Sequence, residues 1–470
     1  MIRKYVFGTP FETGAVCRPE LAIEEPVSAL PYLAVRPGNA FACRLDPADV
    51  VYGLGEQARG LNKRGWIYES NNTDNPFQNE GRRSLYSAHN FLIVDGRDRF
   101  GLFLDTPGFV SYDIGYTAYD ELVITLREGD FVLYVLEEET LTGICRELRR
   151  LTGPSYIPPK WAFGFGMSRW DYKDENEVRE VADKYRALGM PIDMMYLDIP
   201  YMDDYMDFTV SEERYPDFKE FNAEMAEKNL YLVPIVDAGI KKKDGYPVYE
   251  EGREKGYYCT KEDGSEFVVG VWPGMSVFPD ALNAEAADWF GDQYKTYVDA
   301  GVQGFWNDMN EPSIFYTEDS LKAAFEKTAA FRNENLDAET FFRMRDVMGG
   351  ISNREAYYKD FYHKVGDKRV RHDRVHNLFG SALSEASGRA LRRISPDKRL
   401  LLFSRSSMIG MHREAGIWYG DNSSWFSHLL MNLKEEMNTN MVGFLYSGAD
   451  TAGFGDHTTP DLALRWLELG

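Results

Sequence analysis

From Trp161 onward, short apolar runs alternate with amphipathic helical patterns, and most of the runs stop at a polar or acidic residue. A chain built this way closes a parallel sheet through helical crossovers, because parallel neighbours cannot be joined by a tight turn. Phe163 to Trp170 reads as the first strand. Asp174 then offers a helix N-cap with Glu177 three residues on, and Val178, Val181, Ala182, Tyr185 and Leu188 form an apolar stripe. Gly189 is placed to end that helix, and Ile192 to Ile199 is the next strand. The alternation continues with a helix over Phe218 to Lys228, a strand at Tyr231 to Asp237, a helix at Ala284 to Ala300 and a strand at Gly304 to Asp308. Further strands are expected at Leu400 to Arg405, Gly416 to Gly420 and Val442 to Ser447, and a seventh helix at Leu462 to Leu469. Seven parallel strands with chemistry at their C-terminal ends predict a (β/α)8 TIM-type barrel.

The first 155 residues have a different texture. Asp49-Val-Val-Tyr-Gly, Asn90-Phe-Leu-Ile-Val, Phe100-Gly-Leu-Phe-Leu and Glu121-Leu-Val-Ile-Thr-Leu are short alternating runs separated by Gly, Asp, Asn and Pro. They predict an antiparallel β-sandwich. Pro154, Pro158 and Pro159 mark the boundary, giving a sandwich over 1–155 and a catalytic barrel over 156–470. Insertions at about 239–283 and 313–398 suit loops on the active-site face, the second being helical around His372 to Leu391. No eighth strand follows before Gly470, so the expectation is a barrel truncated at its C-terminus, a fragment.

Composition narrows the function. Lys plus Arg number 53 against 75 Asp plus Glu, a net charge of −22 that repels phosphate backbones and argues against nucleic acid. No run of 18 uncharged apolar residues appears, so no membrane span is expected, and the N-terminus lacks the apolar core of a signal peptide. Cys17, Cys43, Cys145 and Cys259 lie far apart without CxxC spacing, which suits reduced thiols in a cytoplasmic protein.

The densest polar constellation at a strand end is Trp306-Asn307-Asp308-Met309-Asn310-Glu311. Alone, it would serve equally as an acidic loop capping the next helix. But Gly416-Ile-Trp-Tyr-Gly-Asp421-Asn422 ends the same way, Phe403-Ser404-Arg405 supplies a cation between them, Asp198 ends the second strand and Asp450 follows the seventh. Carboxylates and an arginine interleaved with tryptophans around a barrel mouth suit a glycosidase. Its oxocarbenium-like transition state needs carboxylates flanking the anomeric carbon, while aromatic faces stack on the sugar. Aromatic residues make up 14% of the chain, more than packing alone demands.

These segments, with Tyr52-Gly-Leu-Gly-Glu56 and Gly448-Ala-Asp450 followed by Gly453-Phe454, resemble glycoside hydrolase family 31, its bacterial α-glucosidase and isomaltase type, over essentially the whole chain. The resemblance implies a retaining exo-α-glucosidase acting on oligosaccharides without a cofactor or metal. It implies Asp308 as nucleophile and Asp421 as general acid/base, with Asp198 and Arg405 holding sugar hydroxyls and Asp450 supporting Arg405. It gives Trp272, Trp306, Met309, Trp418 and Phe454 to the pocket lining and Trp170 to the acceptor side, with some tolerance for α-1,6 linkages. Asp74, in Asn71-Asn-Thr-Asp74, would reach in from the sandwich. The two catalytic carboxyls of a retaining pair sit roughly 5–5.5 Å apart. The chain departs from the family at Pro200, commonly a second Asp, and lacks the histidine that the eighth strand's loop provides.

Three readings stay open: the glucosidase, a related α-xylosidase or transglucosylase, and a non-catalytic carbohydrate-binding fragment. A homo-oligomer is compatible with the sequence. His372-Asp-Arg-Val-His376 has zinc-protease spacing but carries Asp373 where the glutamate base belongs, so it reads as a helix-packing pair. Gly53/Gly55 and Gly164/Gly166 lack dinucleotide-binding spacing, and Glu137–Glu139 and Lys241–Lys243 read as solvated charge.

Overall fold

The computed structural model describes residues 1–470. The chain packs as two compact units, one formed by 1–158, 373–385 and 402–470, the other by 159–372 and 386–401.

In the first unit, a six-stranded sheet runs in the order Ile23–Glu24, Ile2–Phe7, Phe131–Leu136, Arg99–Asp105, Phe91–Asp95, Val50–Gly53. A five-stranded sheet runs Ala34–Arg36, Ala40–Arg44, Glu121–Leu126, Val110–Ile114, Trp66–Ser70. Pairing is antiparallel except at the first pair of the larger sheet. Alternate residues of both sheets meet in one core: Leu92, Val94, Leu102, Leu104, Leu133 and Val135 from one, Phe41, Tyr68, Tyr112, Ile114, Leu122 and Ile124 from the other. This is the expected sandwich. The strand Arg99–Asp105 is buried on both faces. Its outer side carries the helix Leu141–Thr152, capped by Thr140, whose hydroxyl accepts from the Gly143 amide at 3.0 Å. Ile144 of that helix crowds Gly101, where a Cβ would lie 2.6 Å from it.

In the second unit the strands Gly166–Met167, Met194–Leu197, Tyr231–Asp237 and Gly304–Asp308 pair in parallel. Leu401, which opens the strand Leu401–Ser404, donates to the carbonyl of Gln303. In the first unit that strand pairs in parallel with Gly416–Trp418, which pairs with Ser447–Gly448. All seven expected barrel strands are present. The helix Glu175–Ala187 starts as expected: Asp174 accepts from the amides of Asn176 and Glu177 at 2.8 and 3.0 Å. It ends with Gly189 in the left-handed region at φ 68°, with Met190 N donating to Tyr185 O and Gly189 N to Arg186 O.

Three expected elements differ. Pairing in Phe163–Trp170 is confined to Gly166–Met167, because Lys160–Phe163 forms a 3-10 turn and the Asp193 carboxylate takes the Phe165 amide at 3.0 Å. The expected strand at Val442–Ser447 reduces to Ser447–Gly448, since the helix Phe426–Met441 runs up to it. The helix expected from His372 begins only at Phe379; His372–Arg374 and His376–Leu378 are separate 3-10 turns.

Burial holds three histidines of the first unit neutral. Desolvation pulls His89 and His412 down to about 3 and His376 to about 4, from an ordinary 6.5. The unfolded chain protonates these rings near 6.5 and the folded chain only near 3–4, so unfolding takes up protons in between. Their contribution to stability is therefore lost as pH falls below about 6.5. His89→Gln is expected to lower the proton uptake on unfolding at pH 5 by roughly one, read from the pH dependence of urea midpoints against wild type.

Candidate active site

In the second unit, Asp308 ends a strand on which all five residues are buried, and it is itself 8% exposed. Its Oδ1 accepts the amide of Met309 at 2.7 Å, and Met309 takes φ 58° as the chain leaves the strand. The register Ile235↔Trp306 and Asp237↔Asp308 sets a second acidic strand end directly beside it. Asp237 is 3% exposed, and its amide donates at 2.9 Å to Asp207, a fully buried carboxyl raised well above its ordinary value by desolvation. Asn307, on the opposite face of the strand from Asp308, accepts from Tyr294 and donates to Ser387. Asp198 follows the strand Met194–Leu197 and caps the 3-10 turn Ile199–Tyr201, accepting from the Ile199 amide at 2.7 Å. Pro200 is buried within that turn.

The aromatic residues expected on the sugar side divide. Trp306 is buried, whereas Trp170 and Trp272 are 46% and 40% exposed. Trp272 stands in the two-residue loop between the strands Val268–Val271 and Gly274–Val277. Its ring meets Trp170 edge-on at 4.9 Å and Phe315 edge-on at 4.9 Å, forming one aromatic wall.

In the first unit, Arg405 follows the strand Leu401–Ser404 and is buried. Its guanidinium lies 3.7 Å from the Asp74 carboxylate and over the ring of Tyr86 at 4.7 Å. The Asp421 amide donates to the Tyr86 hydroxyl at 3.4 Å, so one tyrosine borders both Arg405 and Asp421. Gly420, at φ 67°, leaves room for that ring: a Cβ there would lie 2.2 Å from Tyr86. The Asp450 carboxylate accepts from the Trp418 indole at 3.2 Å. Phe454 is 42% exposed on the loop after Asp450.

The loop bearing Asp74 is fixed from below. Asn72 donates through its backbone to Asn377 Oδ1, and through Nδ2 to Asn377 O at 3.2 Å and Ser406 Oγ at 2.7 Å. Behind Arg405 runs a one-way relay. His89 Nδ1 accepts from the Glu56 amide, so Nε2 carries the proton and donates to Ser407 Oγ at 2.9 Å. Ser407 donates to Ser87 Oγ, and Ser87 to the Arg405 carbonyl at 3.1 Å.

The zinc-type spacing of His372 and His376 does not produce a paired face. His372 Nδ1 meets His363 Nε2 at 2.9 Å, and His363 Nδ1 meets Asp280 at 2.7 Å with Cys259 Sγ 3.6 Å away. His376 instead meets the Asn72 carbonyl at 2.7 Å. Cys259, Asp280 and His363 could together offer a metal three ligand atoms. Yet the 2.7 Å contact is hydrogen-bond length, which accounts for the ring without an ion.

Tyr86, Asp237 and Phe315 carried no expectation from sequence. A parallel register would have exposed Asp237, whose strand ends one acidic residue like its neighbour; nothing local marks Tyr86 or Phe315.

Residues 155–470 match the glycosyl hydrolases family 31 TIM-barrel domain, and residues 34–113 the family 31 N-terminal galactose mutarotase-like domain. The chain belongs to glycosyl hydrolase family 31. Among family 31 relatives, alpha-glucosidase 2 of Bacillus thermoamyloliquefaciens is 34% identical over 91% of this chain and 50% of its own. The alpha-glucosidase of Saccharolobus solfataricus is 28% identical over 96% of this chain and 63% of its own. The chain thus spans about half to two thirds of the length of these relatives. A family 31 alpha-glucosidase structure from Bacteroides thetaiotaomicron aligns over 92% of this chain and 66% of its own, at 25% identity and a TM-score of 0.73. A family 31 dextranase of Flavobacterium johnsoniae shares the fold at 23% identity, with a TM-score of 0.78 over 94% of this chain and 51% of its own. No helix is long and apolar enough to cross a membrane.

Asn72→Ala removes three side-chain hydrogen bonds, to Asn377 O, Ser406 Oγ and Ser407 O, in a site 1% exposed. It is expected to lower unfolding stability by about 1–3 kcal/mol, measured by urea denaturation.

Proposed function

We propose that this family 31 chain is a retaining exo-α-glucosidase that removes terminal α-linked glucose from oligosaccharides. The observation that carries the reading is Asp308: a buried carboxylate at the C-terminal end of a parallel strand, the position from which barrel enzymes present their chemistry. The two relatives named above are α-glucosidases, which supports glucose as the sugar.

In this reading residues 156–470 are the catalytic barrel and 1–155 the sandwich that supports it. Asp308 attacks C1 while Asp421 protonates the leaving oxygen, forming a glycosyl ester and releasing the aglycone. Asp421, now a carboxylate, takes a proton from water, which attacks C1 and frees Asp308 with the α configuration restored. Arg405 and Asp198 hold the sugar hydroxyls, and Asp450 acts on the pocket through Trp418. Trp306, Met309, Trp418 and Phe454 line the glucose subsite. Asp74 bears on it from the sandwich, next to Arg405. The exposed wall of Trp170 and Trp272 suits the acceptor sugar, where a flat aromatic face tolerates more than one linkage, α-1,6 included. The substrate is an oligosaccharide, and neither cofactor nor metal enters the two displacements. The four cysteines are free, two of them buried, which fits the reducing cytoplasm.

Wild type is expected to hydrolyse p-nitrophenyl α-glucoside and to release α-glucose first, followed by NMR. Release of the β-anomer first would exclude the double displacement, and preference for the α-xyloside would reassign the sugar. Asp308→Ala is expected to lower kcat by more than about 1,000-fold while sugar binding persists. Residual turnover within about tenfold of wild type would reject Asp308 as nucleophile.

A further inference from the structure

The helix Phe426–Met441 of the first unit is inside out. Its exposed side carries Phe426, Leu430, Leu433 and Met437, at spacings of four, three and four. Its buried side carries His428, Asn432, Glu435, Asn438 and Thr439, with Met431 the one apolar residue among them. Burying a polar stripe while an apolar one faces water opposes the usual arrangement, so the buried side chains must answer to something other than packing.

They answer to the segment around Asp421. His428 Nδ1 accepts the Ser423 amide at 2.8 Å. Asn432 Oδ1 accepts from Asn422 Nδ2 at 3.1 Å. Thr439 Oγ1 meets the Tyr419 hydroxyl at 2.6 Å. The helix therefore grips residues on both sides of Asp421: 419, 422 and 423. Asn422 is also the anchor of the next loop, accepting the Phe454 amide at its Oδ1 (3.0 Å) and donating to the Asp450 carbonyl at 3.1 Å.

The bonds through Asn422 have one sense. Phe454 N donates to Asn422, Asn422 donates to Asn432, and Asn432 donates to Glu435 Oε2 at 2.8 Å. A donor chain of this kind needs an acceptor at its end, and a carboxyl oxygen supplies one; each amide is held in a single orientation and polarised the same way. Asn422, Asn432 and Glu435 are at most 1% exposed. Burial pushes Glu435 up to about 7, so the carboxyl stays in the interior against its solvation preference. The only cation buried with it is Lys63, which desolvation pulls down to about 7 and whose Nζ makes no hydrogen bond.

We propose that Asn432, backed by Glu435, is a positioning residue for the general acid/base, acting through Asn422 to fix the strand end that carries Asp421. This rests on the assignment of Asp421 in the proposed function. Neither residue touches substrate in this account. Asn432 fixes the amide of Asn422, which ties 421–423 to 450–455, and Glu435 keeps Asn432 from turning over.

The test separates the acid step from the rest of catalysis. Maltose has a poor leaving group and needs protonation; α-glucosyl fluoride leaves without it. Asn432→Ala and Glu435→Ala are expected to lower kcat/KM for maltose at least tenfold and kcat/KM for α-glucosyl fluoride less than threefold, since kcat/KM reports the first displacement and the second, with Asp421 as base, is common to both substrates. Glu435→Gln keeps an acceptor oxygen and is expected to retain at least half of the activity on maltose. Where the alanine variants do not fold, Asn432→Ser and Glu435→Asp, which shorten rather than delete the chain of bonds, are held to the same selective loss. Equal loss on both substrates, or no loss on maltose, overturns the positioning role while leaving the glucosidase reading intact. A wild-type chain that turns over neither substrate removes that reading, and the proposal with it.

Discussion

A parallel ladder fixes where strand ends lie, and the chemistry of this chain hangs on that. Its hydrogen bonds run evenly between neighbours, so the register of one pair carries to the next without freedom to slip. The pairing Asp237↔Asp308 is the result: two acidic residues share one level because their strands do. Two adjacent carboxylates at low exposure are costly to keep charged. The Met309 amide, donating to Asp308, reduces that cost on one side of the pair.

The first unit solves a different problem, that of holding loops rather than strands. Arg405, Asp421 and Asp450 all lie just past short parallel strands of two to four residues. Strands that short specify little beyond their own length. The side chains beyond them are therefore located by hydrogen bonds from elsewhere in the unit: Tyr86 from the sandwich, Asn72 from the Asp74 loop, and the His89–Ser407–Ser87 relay. The loops of the sandwich thus supply the groups that fix Arg405.

What could be read from the sequence follows from the same division. Tyr231–Asp237 and Gly304–Asp308 form as expected because a strand buried on both faces is a continuous apolar run, and such a run has few other uses. Asp174 and Gly189 bound their helix as expected because capping is local. Expectation failed where a distant group decided the outcome. Asp193 takes the Phe165 amide and leaves only two residues of the first strand paired, and the turn that closes the helix Phe426–Met441 takes the Val442, Gly443 and Phe444 amides from the seventh. His372 and His376 show the same limit, as their spacing assumed one helix and the backbone makes two separate turns. In the site, the residues quoted at strand ends were legible as carboxylates and aromatics. Tyr86 was not, because it lies more than 300 residues from Arg405 and Asp421, and only tertiary structure relates them.

The helix Phe426–Met441 bears on how such patterns are used at all. Its apolar residues recur with helical spacing, and that spacing does locate a helix. Assigning the stripe to the interior would turn the element half a revolution, taking Asn432 and Glu435 out to solvent and driving Leu430 and Leu433 under the Gly420–Ser424 turn. Periodicity yields a direction but carries no sign. Wherever a protein must wire a working group through its interior, that sign can reverse.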